Sequence, residues 1–367
     1  MKETAASLIL VIILAFSTLF LPVSGTAHTM HQISSTGEIS YSTLSWLHTD
    51  GKLIKDAYGN SVRLMGCGIE EPCWDLGQGQ ILITEQQISA IASYGANHVR
   101  LMFNKAWLSD PQYLAYLDNI VAWCKKYDLW IIPCFAVDGT TSTWTEEAKI
   151  AAIHDSTWIE EWIQMWEMLA EHWRNEPTVM GFAIFNEPVL PDEEAKLWWD
   201  AALECIQRIH AINPNVLCFV GSPNYQKYFK GFFFDNAPGL GVFPENNVVY
   251  AFHRYYHYDL MYHPPGDYPF DYRDGNFEVA RQKWEQTMYE DTVKLQDVGN
   301  VPVFFEEFGE ALDWIPDDPN WDVWLQNTYD ILRKYNVGAN QYAWYWITED
   351  DRITLNEIGE IWAQNMP

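Results

Sequence analysis

The chain has 367 residues, 48% of them hydrophobic, which is enough apolar surface to fold and excludes a disordered or low-complexity protein. Fifty acidic residues against 22 basic ones give a formal net charge of −28, a field that repels phosphate backbones and anionic lipid. Nucleic acid is therefore not an expected partner. The 19 Trp, 20 Tyr and 18 Phe are an unusual load: aromatic side chains usually serve the core, and an excess this large also suits a cleft that stacks flat-faced ligands such as sugars, a choice composition alone does not make.

At the N-terminus, Lys2 precedes an apolar run from Leu8 to Leu21, and Pro22, Ser24 and Gly25 lead to Ala27. This is the grammar of a secretory signal peptide over residues 1–27. The competing reading is an uncleaved anchor, since the stretch from Ala5 to Val23 nearly spans a bilayer. Residues 28–45 are rich in Ser and Thr and read as a tether, leaving 46–367 as one folded domain. A secreted, extracellular location is expected, with membrane contact only if the N-terminal segment is retained. Export permits disulfides among Cys67, Cys73, Cys124, Cys134, Cys205 and Cys218. Buried thiols are the equal alternative. The absence of a CxxC spacing removes zinc-ribbon and thioredoxin readings.

Residues 46–61 contain two turn signals, Asp50–Gly51 and Gly59–Asn60, and predict a hairpin. Strand-like runs then follow at Val62–Ile69, His98–Phe103, Trp130–Val137, Val179–Phe185, Val216–Gly221, Val248–His253, Val301–Phe305 and Ala339–Trp346. Helix-sized stretches with recognisable ends separate most of them. Thr84 and Gln87 form a capping box closed by Gly95, and Asp110–Pro111 opens the next helix. A third begins at Ser156, with Trp158, Trp162, Trp166, Leu169 and Trp173 at core-facing spacing. Further helices fit 192–212, 277–298, 320–335 and 355–365, whereas 224–247 is the weak member of the series. Eight strands, each followed by a helix-sized segment, predict an α/β fold: a single-domain (β/α)8 TIM barrel, its bottom closed by the N-terminal hairpin. An open doubly wound sheet is disfavoured, because no glycine-rich phosphate turn follows the first strand.

Catalytic groups in such a barrel project from the C-terminal ends of strands. The fourth strand ends GFAIFNEP, placing Asn186 and Glu187 after a buried apolar run, and the seventh ends VPVFFEEFGE, placing Glu306 and Glu307 likewise. Two carboxylates across one mouth supply an acid and a nucleophile for glycosidic cleavage. Because neighbouring strand residues point to opposite faces, only one of Glu306 and Glu307 is expected to face the axis. Glu310 reads as a helix-end or rim residue. Arg100 on the second strand can orient a carboxylate. His253 and Tyr255, two apart, share a face, as do Trp344 and Trp346 in QYAWYW, which would floor a sugar site.

With NEP after the fourth strand and EFG after the seventh, the sequence from about residue 46 onward resembles glycoside hydrolase family 5, the cellulase-like branch of the clan A retaining glycosidases. The resemblance implies that Glu187 is the acid/base and Glu307 the nucleophile. It also implies that Asn186 meets the sugar 2-hydroxyl, Arg100 holds the nucleophile, His253 lies near the acid/base and Tyr255 near the nucleophile. Trp346 matches the stacking tryptophan better than Trp344, and Glu306 falls where the family often has a small residue. One departure is Asp138 before Gly139, where the family usually has a histidine; Asp138 is expected to accept from sugar hydroxyls or a loop amide. The implied chemistry is double displacement, with carboxyls ~5–5.5 Å apart, a raised pKa at Glu187 and a lowered one at Glu307.

The expected substrate is β-1,4-glucan, met by an endo-acting enzyme, with β-mannan as the nearest rival. Trp74, Trp107, Trp144 and Trp314, with the Tyr-rich loop 254–276, are candidate walls for the cleft. No cofactor or metal is expected, and the protein is expected to be a monomer acting on polysaccharide or oligosaccharide. Two readings of other classes compete: a metal-dependent hydrolase using His253, His257 and His263, and a secreted sugar-binding protein that has lost catalysis.

Overall fold

In the computed structural model, the described residues are 30–33, 39–41, 44–74, 82–139, 144–230, 240–256, 271–273, 275–310 and 320–367. The expected signal peptide, Trp314 and most of the 254–276 loop lie outside them. The chain divides into two units, residues 1–42 and 43–367. Within the first, Met30–Ile33 and Ile39–Tyr41 pair as antiparallel strands, in a stretch expected to be only a tether.

The second unit is a closed barrel of eight parallel strands: Met65–Ile69, His98–Asn104, Trp130–Val137, Gly181–Ala183, Leu217–Val220, Val248–His253, Val303–Phe308 and Gly338–Gln341. They pair in chain order, and the eighth returns to the first. The expected strands all appear, but four are shorter than their predicted runs: the first begins at Met65, the fifth spans only Leu217–Val220, and the fourth and eighth lose most. The fourth keeps only Gly181–Ala183 in the ladder, with Val179 making a lone bridge to Ile131. The eighth stops at Gln341; a cis Tyr342–Ala343 bond and a 3-10 turn over Trp344–Trp346 replace the expected continuation.

Two apolar layers result from the pleat. Met102, Ile132, Cys134, Met180, Leu217, Val249 and Phe304 fill the barrel interior. Val99, Leu101, Ile131, Phe135, Phe182 and Val220 face outward against the helices. The helix Ser156–His172 buries Trp162, Trp166 and Leu169 as its period predicts, while Trp158, one turn earlier, stays half-buried. The Thr84 and Asp110 caps are formed. The expected helix 277–298 is interrupted: Phe277–Met288 passes through a π turn at Tyr289–Val293 before Lys294–Gly299.

The predicted hairpin closes the barrel floor. His48–Asp50 pairs with Leu53–Lys55 around Gly51, whose φ of 56° needs a residue without Cβ strain. Thr49 and Asn247 exchange hydrogen bonds at 3.0 Å each, tying the hairpin to the residue before the sixth strand. The Trp130 indole, at the start of the third strand, donates to the Ser45 carbonyl at 3.1 Å. Leu47 and Ile54 thereby plug the lower end of the interior layer. All six cysteines are buried free thiols.

Candidate active site

The polar residues at the upper ends of the strands converge on one cluster. Arg100, fully buried on the second strand, is its pivot: Nη1 donates to Glu307 Oε1 at 2.5 Å and Nη2 donates to Asn186 Oδ1 at 2.7 Å. The other Glu307 oxygen accepts from the Tyr255 hydroxyl at 2.8 Å. Burial and the adjacent Glu307 hold the Tyr255 phenol well above its ordinary pKa, so it serves as a neutral donor.

Glu187 is set differently. Its φ of 55° is left-handed, a strained choice for a side chain with a Cβ, and the neighbouring residues hold it there. Its N–H donates to Gln226 Oε1 at 2.7 Å, and its carbonyl accepts from Lys149 Nζ at 3.0 Å. The carboxylate meets His253 Nδ1 at 3.0 Å and keeps 27% of its side-chain surface open. Glu187 and Glu307 each offer an oxygen within 4.8 Å of the other.

Electrostatics correct one expectation. Burial pushes the Glu187 pKa up, but the hydrogen bond from His253 and the charges of His253, Lys149 and Arg100 outweigh it, leaving the group below its usual value. The expected raised pKa is therefore not found in the free protein, because three cations surround the carboxylate. His253 moves the opposite way: burial disfavours its charge, yet Glu307, Glu187 and Glu306 overcome this and raise it to about 9.

A second correction concerns the seventh strand. Strict alternation would turn one of Glu306 and Glu307 away from the axis, yet both point inward. The register slips between Phe252 and His253 on one side and between Phe305 and Phe308 on the other, so a bulge accommodates an extra residue at the two glutamates. Glu306, 1% exposed, accepts from Gln226 Nε2 at 2.9 Å and meets His253 Nε2 at 3.2 Å.

Other expected contacts fall elsewhere. Asp138 Oδ2 accepts from the Trp158 indole at 2.7 Å and from Lys105 Nζ at 3.0 Å, partners the sequence does not announce. Trp344 shares no face with Trp346. It is fully buried against Tyr94 and Trp362 and donates to the Arg352 carbonyl, because the 3-10 turn breaks the strand period. Trp346 is half-buried, edge-on to Tyr342 and Tyr255, and borders the cluster. Trp144 and Trp158 tilt against each other near the third-strand exit. Trp107 packs edge-on to Tyr113, and the Trp74 side chain lies outside the described residues. Of the histidine trio, His257 and His263 also lie outside them, and both His253 ring nitrogens face carboxylates.

Lys149 and Gln226 were missed in the sequence. Lys149 stands on the helix Glu146–His154, where a lone lysine carries no motif, and Gln226 follows a strand exit, VGSPNYQ, that holds no charge. Gly221 admits the latter: a Cβ there would lie 2.0 Å from Gln226 Cγ.

Two close carboxylates in unequal surroundings at the open end of a barrel are what glycosidic cleavage requires, and they define the class of barrel glycoside hydrolases. The chain belongs to glycosyl hydrolase family 5, whose Cellulase model matches residues 55–350. It is 30% identical over 188 residues to Endoglucanase C of Acetivibrio thermocellus, an alignment covering 47% of this chain and 50% of that protein. The chain thus spans about half the length of that curated relative. Endoglucanase G of the same organism is 22% identical, covering 99% of this chain and 76% of its own. Among solved structures, a β-glucanase from Saccharophagus degradans in complex with cellotetraose superposes with a TM-score of 0.65 at 19% identity, over 88% of this chain and 93% of that one. A hyperthermophilic endocellulase from Pyrococcus horikoshii gives 0.65 at 16% identity, over 88% and 98%.

Proposed function

We propose that the protein is a secreted, retaining endo-β-1,4-glucanase. The observation that carries this reading is the approach of Glu187 and Glu307 to within 4.8 Å, oxygen to oxygen, which favours the ~5–5.5 Å spacing of a retaining pair over the ~6.5–9.5 Å that admits a water between them. Arg100 and Tyr255 hold both Glu307 oxygens, aiming the carboxylate as a nucleophile. Glu187 keeps an open edge for a leaving oxygen.

In the first step Glu187 gives a proton to the glycosidic oxygen while Glu307 bonds to the anomeric carbon. In the second, ionised Glu187 takes a proton from water, whose oxygen attacks that carbon and releases Glu307. A bound sugar covers the open edge of Glu187 and raises its pKa toward that of an acid. Asn186, held by Arg100, presents its amide to the sugar next to the reacting carbon. Trp346 supplies one wall.

The endo action and the β-1,4-glucan substrate rest on the relatives, endoglucanases and an endocellulase, together with the aromatic rim. Secretion rests on the signal-like residues 1–27, and a monomer is the proposed working form. Among the described residues, no helix is long and apolar enough to cross a membrane.

Reducing-end release from soluble β-glucans, mannan and xylan tests the reading, with Glu307→Gln as control and product anomers followed by proton NMR. Release from β-1,4-glucan with a β-anomer first product, lost by about 10⁴-fold in the variant, is the expected result. Release from mannan alone overturns the substrate, an inverted product overturns the mechanism, and no release by folded protein favours a non-catalytic sugar-binding role.

A further inference from the structure

Glu306 has no part in the two-carboxylate chemistry, yet it is the most enclosed acid in the cluster. Both of its oxygens face cationic or donor groups: Oε2 meets His253 Nε2 at 3.2 Å and Gln226 Nε2 at 2.9 Å, and Oε1 lies 3.5 Å from Arg100 Nε. Among the described residues, that Oε1 and the Arg100 Nε have no hydrogen bond elsewhere, so they face each other as an ion pair. A buried carboxylate is costly unless it is paired, and an isolated one would take up a proton.

The His253 ring is caught between acids on both edges. Nδ1 faces Glu187 Oε1 at 3.0 Å and Glu307 Oε2 at 3.4 Å, while Nε2 faces Glu306. A neutral imidazole has one donor and one acceptor nitrogen, and its acceptor would point at a carboxylate oxygen. Only the imidazolium satisfies both edges while the carboxylates are ionised. The charges then balance: Glu187, Glu306 and Glu307 against Arg100, Lys149 and His253.

The balance shifts during the proposed reaction. When Glu307 becomes a glycosyl ester it loses its charge, and Glu187 gains and loses a proton within each turnover. Glu306 alone neither bonds to sugar nor reaches solvent. We propose that Glu306 is the fixed counter-charge of the site, a positioning residue that keeps His253 doubly protonated and Arg100 aimed while the other two carboxylates change state. The inference rests on the glycosidase reading for its consequence, though not for its geometry. The cations that meet the carboxylates around His253 are Arg100 from the second strand and Lys149 from the helix Glu146–His154. Glu187 and Gln226 come from the fourth and fifth exits, Tyr255 from the sixth, and Glu306 and Glu307 from the seventh.

The test is a nitrogen-15 NMR titration of the His253 ring in the full chain, assigned by its loss in His253→Gln, run beside the pH profile of kcat/KM. In the wild type the ring should carry both protons at pH 7.5; a neutral ring there overturns the proposal without any variant. In Glu306→Gln, which keeps the shape and removes the charge, the His253 midpoint should fall by about one pH unit or more. The alkaline limb of kcat/KM should move to lower pH with it. Glu306→Asp, which restores the charge, should recover most of both shifts. An unmoved midpoint in a folded Glu306→Gln protein overturns the counter-charge role. Loss of activity with an unmoved midpoint reduces Glu306 to packing and overturns it equally. A wild type inactive on every glycan sinks the glycosidase reading, while the ring titration still decides the charge assignment.

Discussion

Glu187 is held in a left-handed backbone conformation by Gln226 from one side and Lys149 from the other. The Lys149 ammonium bonds two successive carbonyls, those of Asn186 and Glu187, at 3.2 and 3.0 Å, so it fixes the peptide that carries both residues. Lys149→Met should keep the helix but free that peptide, lowering kcat by about 10–100-fold with a smaller change in KM, as steady-state kinetics would read. The two tryptophans of the last strand exit should separate just as clearly. Trp344→Ala opens a cavity in the core and should cost about 3–5 kcal/mol in denaturant unfolding. Trp346→Ala should leave that stability nearly unchanged and raise KM for soluble glucan by about tenfold, through lost stacking. Protonation sets a further expectation. His253, raised to about 9 from 6.5, stabilises the fold fully below about pH 6.5, and this is lost as pH climbs through about 9. Glu187 and Glu306 lie below 4.5, so their contributions are complete above that value and vanish as pH falls. Melting temperature against pH should therefore plateau between about pH 5 and 6.5 and decline on both sides.

Individual elements carry the site by small departures from regularity. The bulge on the seventh strand turns two adjacent glutamates to one side, and Gly221 leaves room for Gln226 to lie under Glu187. Gly221→Ala would drive a methyl into that side chain, so hydrogen bonds to both Glu187 and Glu306 should be disturbed together. The expected effect is about 1–3 kcal/mol of stability and a loss of kcat beyond what the stability change explains. These departures mark the limit of what was legible in the sequence. The eight strands, the hairpin and the caps follow from period and turn residues, which are local. Glu187, Glu307, Arg100, Asn186, His253 and Tyr255 meet as read because strand exits of a barrel share one rim. Alternation failed at Glu306 and at Trp344, where a bulge and a 3-10 turn reset the pleat, and no propensity announces either. The partners of Asp138 were not legible because Lys105 and Trp158 come from separate segments. Lys149 and Gln226 act through backbone groups, and such contacts leave no residue-type signature.

At the scale of the molecule, the plugged floor and the charged mouth divide the labour between stability and chemistry. Leu47 and Ile54 close the lower end with apolar side chains, while the costly charges are confined to the opposite end, where they balance in threes. The net charge of −28 is spread over the remaining surface. Moderate salt should therefore raise the melting temperature by screening self-repulsion, as scans from low ionic strength to about 0.15 M would reveal. The six buried thiols have a consequence of another kind. The barrel reaches its final form without an oxidative maturation step, so a reducing host should yield the same active protein as an oxidising one. Concealment is also what keeps those sulfurs inert. A chain heated in air exposes all six at once and can be cross-linked before it refolds, so heat damage becomes a one-way event. Cooling a thermally unfolded sample under a reductant should return far more activity than cooling it in air, a ratchet set by chemistry that the folded molecule never displays.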